Sequence, residues 1–139
     1  MSAAGTWTFD REGVAEHRTV LIVDCDPGHR AFVSLLLAQY DVELAASGEE
    51  ALARVHRGGI DLVVSALIMP GMDGLELLRA LRETAPNLPV IAVVPGMSEI
   101  DGVYLRGAAA MGAACAYTQP LTPSVFLKSV RELLARPTH

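Results

Sequence analysis

Cysteine and aromatic residues are scarce in this chain: two cysteines, one tryptophan and 5% aromatics among 139 residues. Cys25 and Cys115 are too few for a disulfide scaffold and suit a reducing compartment. Charged residues are also few, 19%, and the balance is acidic, net −5. An acidic surface repels phosphate backbones, so nucleic acid is not expected as the main partner. No apolar run approaches the length of a membrane span, and Asp10, Arg11 and Glu12 precede the first apolar stretch, unlike a secretory signal. A cytoplasmic protein with no membrane association is expected. Hydrophobic residues are plentiful, at 51%, which is enough for the core of one domain and too many for a disordered chain.

Residues 1–17 show no period and read as a partly ordered extension, with Trp7 and Phe9 its only large apolar groups. From residue 18 to 139 a domain follows in which strand and helix patterns alternate five times. Thr19–Asp24 is a β-branched run of the kind buried on both faces of a sheet. Asp26 and Pro27 then open a helix expected to turn Ala31, Phe32, Leu35 and Leu36 inward. Val42–Ala46 is short, as an edge strand would be. The Ser47–Glu50 capping box starts a second helix that Gly58 and Gly59 end. Asp61–Ala66 and Val90–Val94 are further strands, with a helix striped by Leu75, Leu78 and Leu81 between them. Ser98 is placed to cap a fourth helix carrying Ile100, Tyr104, Ala108 and Met111 on one side. Gly102 and Gly107 weaken that helix by roughly 1 kcal/mol each. Ala114–Thr118 is a weak fifth strand. Thr122 and Pro123 open a last helix striped by Phe126, Val130, Leu133 and Leu134.

This alternation predicts an α/β doubly wound parallel sheet in the order 2-1-3-4-5, whose sites form beyond the carboxyl ends of the strands. The loops to inspect follow Asp24, Ala66, Val94 and Thr118. A nucleotide is disfavoured there. Asp24 and Asp26 stand where a phosphate loop needs bare N–H groups, and no G-x-G-x-x-G is present. Gly107 and Gly112 have P-loop spacing, but Ala113 and Ala114 follow instead of Lys and Ser or Thr. His17, His29, His56 and His139 show no metal spacing and are expected to face solvent. No metal or other cofactor is expected.

Several blocks carry a specific resemblance: VLIVDCDPGHR at 20–30, DLVVSALIMPGMDGLELLRALR at 61–82, VIAVV at 90–94 and GAACAYTQPL at 112–121. In this order, over residues 19–135, the chain resembles the receiver domains of two-component response regulators. The resemblance implies a flavodoxin-like (βα)5 fold. It also implies a site in which a third-strand aspartate accepts a phosphoryl group from a histidine kinase. An acidic pair holds Mg²⁺, a Thr or Ser and a Lys hold the phosphoryl oxygens, and a fifth-strand aromatic responds. Placed residue by residue, the acidic pair falls on Asp24 and Cys25 and the acceptor on Ala66. The hydroxyl falls on Val94, the lysine on Gln119 before Pro120, and the aromatic on Ala116. Asp24 alone keeps the chemistry.

Ala66 has no oxygen to phosphorylate. Cys25 is a poor ligand for a hard cation, and Gln119 brings no charge to a phosphate. The pocket formed by Asp24, Cys25, Asp26, Ala66, Val94 and Gln119 therefore reads as vestigial, with Asp26 a helix cap and Cys25 a semi-buried thiol. Ser65, beside Ala66, should point to the other face of its strand. Receivers usually hold the bond matching Gln119–Pro120 in cis, which is expected here too. The stretch from Val94 to Gly112 exceeds the family norm and is expected to be flexible or rebuilt for a partner. The expected function is that of a non-enzymatic, stand-alone, phosphorylation-independent receiver. It would dock a histidine kinase, another response regulator or a second copy through its fourth helix, fifth strand and fifth helix. Tyr104, Met111, Ala116 and Tyr117 are the candidate surface. The alternative is a small-molecule sensor using the vestigial cleft, which a ligand-specific rise in thermal stability would reveal.

Overall fold

The computed structural model describes residues 17–135. The predicted extension, apart from His17, lies outside them, as does His139. Five strands form one sheet: β1 (Thr19–Val23), β2 (Asp41–Ala45), β3 (Leu62–Ala66), β4 (Val90–Val94) and β5 (Cys115–Thr118). All pair in parallel, in the order β2-β1-β3-β4-β5. Helices α1 (Pro27–Leu36), α2 (Gly48–His56), α3 (Gly74–Thr84), α4 (Ile100–Ala110) and α5 (Pro123–Leu134) connect and follow them.

The central strands β1, β3 and β4 are buried almost throughout, which is why they read as unbroken apolar runs rather than alternating ones. Two cores result. On one face Leu21, Val23, Val63 and Ala92 meet Leu77, Leu78 and Leu81 of α3, with Ala51 and Val55 of α2. On the other, Val20, Ile22, Val64 and Val93 meet Val33 of α1 and the predicted α5 stripe of Phe126, Val130, Leu133 and Leu134. Gly58 and Gly59, at φ 84° and 89°, end α2 as expected. The Gln119–Pro120 bond is cis.

Three local expectations need correction. In α1 the inward residue is Val33, followed by Leu37 beyond the helix end, with Leu36 half-buried; Ala31 and Phe32 are exposed, and Leu35 is 76% exposed. At α2, Ser47 accepts from Glu50 N, but the Glu50 carboxylate accepts from Ala46 N rather than closing the box on Ser47. The complete capping box is at α3, where Asp73 and Glu76 bond each other's backbone N–H. Thr122 occupies the cap position of α5 without a side-chain bond.

The connection from β3 into α3 brings Gly74 hard against the end of its own strand. Gly74 N donates to Leu67 O at 2.8 Å, and a Cβ on Gly74 would lie 2.3 Å from Ala66 O and 2.5 Å from Leu67 Cα. Both obstacles are backbone and cannot swing away. Gly74→Ala is expected to lower the unfolding free energy by roughly 3 kcal/mol. Gly28→Ala, whose Cβ would meet only Asp26 Oδ1 at 3.4 Å, should change it by no more than about 0.5 kcal/mol. Urea denaturation of both variants checks this; equal effects would contradict it.

Candidate functional site at the carboxyl ends of the strands

The register brings the predicted site residues to one edge of the sheet. Val23 pairs with Ser65, so Asp24 and Ala66, each one residue further, come level at the ends of β1 and β3. Ala66 pairs with Val93, and Val94 with Thr118, which puts Gln119 just past the end of β5. Gln119 N donates to Val94 O at 2.8 Å, tying the chain past β5 to the end of β4. Val94 is fully buried, while Ala66 and Gln119 are half-buried. Ser65 is buried, its hydroxyl donating to Ala66 O at 2.8 Å. Alternation sets it on the face opposite Ala66.

Asp24 is 5% exposed and the centre of a dense polar knot. Its Oδ1 accepts from Asp26 N at 3.0 Å, and its Oδ2 lies 2.6 Å from His29 Nδ1. A carboxylate can only accept, so Nδ1 carries the proton. Arg30 Nη1 donates to Asp24 O at 2.7 Å. A buried carboxylate needs such partners, and α1 supplies them from its first turn. The expectation that His29 faces solvent is corrected: its side chain is 12% exposed, its Nε2 is buried without a hydrogen-bond partner, and its ring centroid lies 6.2 Å from that of Phe32. Sequence spacing carried a signal for this, since residue 29 stands one turn into a helix that begins beside Asp24. Asp26 caps α1 through Gly28 N at 2.9 Å, as predicted. Cys25 is exposed rather than semi-buried; it and Cys115 are both free thiols.

Mg²⁺, the cation implied by the resemblance, does not match this donor set. Both Asp24 oxygens are engaged by Asp26 N and His29 Nδ1, Cys25 offers sulfur, and Ala66 offers a methyl group. A hard cation needs several oxygens and gives up its water reluctantly.

Asp101, not foreseen, is 6% exposed, and its Oδ2 accepts from Met97 N at 2.7 Å and Ser98 N at 3.2 Å. Ser98 does not cap α4 as expected: Glu99 holds the cap position without a side-chain cap bond, and Ser98 Oγ accepts from Ile100 N at 3.2 Å just ahead of it. Gly96, at φ 81°, lets the loop approach β5 where a Cβ would meet Thr118 Cγ2 at 2.5 Å. Of the candidate surface residues, Met111 and Ala116 are exposed. Tyr104 is half-buried, its hydroxyl donating to Asp73 Oδ2 at 3.3 Å; burial, then the Asp73 carboxylate, raise its pKa above the ordinary phenol value. Tyr117 is half-buried too, edge-on to Phe126 with centroids 6.3 Å apart, and bonded to the Ser129 hydroxyl.

A profile for the response regulator receiver domain matches residues 20–131. The chain belongs to that family. It is 33% identical over 122 residues to the transcriptional regulatory protein TrcR of Mycobacterium tuberculosis, covering 86% of this chain and 46% of that one. It is 37% identical over 120 residues to the response regulator MprA of Mycobacterium leprae, covering 84% and 51%. This receiver thus spans about half the length of those curated relatives. Among solved structures, it is similar to a putative response regulator from Chloroflexus aurantiacus, with TM-score 0.77, 29% identity and coverage of 86% and 99%. The Vibrio cholerae chemotaxis protein CheY4 gives TM-score 0.73, 30% identity and coverage of 84% and 98%. The flavodoxin-like order read from the sequence is thereby established, and the family is a signalling fold whose domains interact with kinases and other regulators.

The Asp24–His29 pair gives a direct test. His29→Ala, which strands a buried carboxylate oxygen, is expected to cost about 1–3 kcal/mol. In an Asp24→Ala background the same change should cost less than half as much, as a double-mutant cycle in urea would show. Equal costs in both backgrounds would contradict the pairing.

Proposed function

We propose that this receiver works without phosphorylation and signals by protein contact in the cytoplasm. The observation that carries the reading is Ala66: a methyl group ends β3, three residues before Met69, at the position that the resemblance gives to the acceptor carboxylate. Supporting it, Asp24 is satisfied by its own helix, and neither Val94 nor Gln119 supplies what a phosphoryl group needs. The contact surface is the α4–β5–α5 face, on which Met111 and Ala116 are joined by Ile100 and Val103, 54% and 55% exposed. A histidine kinase, another regulator or a second copy of this chain fits such a face.

Incubating the protein with Mg²⁺ and a small acyl phosphate, then weighing it, tests the reading. No stoichiometric phosphoryl adduct is expected. Restoring Cys25→Asp, Ala66→Asp, Val94→Thr and Gln119→Lys together should allow one to form. A stoichiometric adduct on the unaltered protein would overturn the proposal.

A further inference from the structure

The outward side of α1 is apolar and uncovered among the described residues. From Ala31 to Gln39 there is no charged side chain. Ala31, Phe32, Leu35 and Ala38 are exposed at helical spacing, Phe32 by 41% and Leu35 by 76%. Leu44 of β2 pairs with Ile22, which belongs to the core under α1, so Leu44 shares that face of the sheet; it is 52% exposed. Large apolar groups left together at a surface mark a contact site.

The chain itself supplies an occupant. His17 and Arg18 lead into β1, and Arg18 O accepts from Asp41 N at 3.0 Å, where the chain passes from α1 into β2. The amino-terminal segment therefore sets out from the end of the sheet at which α1 finishes, close to Leu35. The other exposed apolar helix, α4, packs on the opposite face of the sheet. Residues 10–16 are a spacer rich in charge that can extend to about 23 Å. The ten residues of α1 span only about 15 Å. Residues 1–9, ahead of that spacer, carry no charged side chain and include Trp7 and Phe9.

We infer that the amino-terminal segment of this same chain folds back along α1, seating Trp7 and Phe9 on Phe32 and Leu35. An uncharged run meets an uncharged face, and the two rings leave water together with the apolar groups they cover. His29 stands beside Phe32, ring centroids 6.2 Å apart, so the seated segment ends next to the Asp24–His29 pair. The contact is intramolecular and closes this side of α1 to other proteins until it is displaced.

Trp7 is the only tryptophan of the chain, so its fluorescence reads the contact directly. In the full chain its emission should lie to the blue of free tryptophan amide in water and resist acrylamide quenching, equally at all protein concentrations. Phe32→Ser and Leu35→Ser should each lower the ratio of seated to free segment roughly tenfold. Together they should bring emission to the free value, with far-UV circular dichroism unchanged. Ile100→Ser, on the opposite face, should leave emission where it was. If the α1 variants fail to fold, Phe9→Ser carries the test, with the same red shift expected. The inference is overturned if the unaltered chain emits at the free value, or if the α1 and Phe9 substitutions leave a blue-shifted emission unmoved. A shift caused by Ile100→Ser overturns it too, as does a blue shift that fades on dilution, which would assign the face to a second copy.

Discussion

A carboxylate buried at a strand end must be met by donors, and Asp24 sets that requirement for the whole upper edge of this domain. The ionisable side chains on α1 answer it: His29 bonds the carboxylate, Arg30 bonds the same residue's carbonyl, and Asp26, capping the helix, contributes its N–H. Two consequences follow from this arrangement. Each oxygen of the lone carboxylate already holds a donor, and the neighbouring positions add no oxygen ligand of their own. The outer side of α1 leaves Phe32 and Leu35 in solvent, with His29 beside the Phe32 ring.

The same logic explains how the fold stands under the proposed reading, in which the family's chemical residues are largely replaced. Parallel strands bury Val20–Val23, Leu62–Val64 and Val90–Val93 between two helical layers, and at the strand ends Val94 joins that core and Ala66 packs against it. The turn at Gly74 is fixed by backbone packing against Ala66 and Leu67, which is indifferent to the side chain at 66. Scaffold and chemistry are separable here, and a receiver can lose one while keeping the other.

Strand order, both cores, the α5 stripe and the cis peptide were legible because each rests on a strong local pattern: unbroken β-branched runs, a repeat of three and four residues, and a proline at a family-specific place. The α1 stripe was misread because that helix has apolar residues on every side, so periodicity alone could not tell Val33 from Phe32 and Leu35. Of the site, Asp24, Ala66, Val94 and Gln119 were legible from their places in the motifs. His29 reads as solvent-facing when its spacing is tested only for metal ligation, although its place one turn into the helix that begins beside Asp24 carried the signal. Asp101 and the Tyr104–Asp73 bond depend on backbone and helix contacts that no spacing encodes.

The central claim is that the edge of the sheet, as built, has no place for the cation on which phosphoryl transfer relies. Titrating the protein with Mg²⁺ while following its amide NMR spectrum addresses that claim most directly. The account predicts no saturable shift at the amides of Asp24, Cys25 and Ala66 up to physiological concentrations of the ion. A saturable shift centred on those three residues, with His29 released from Asp24, would contradict it.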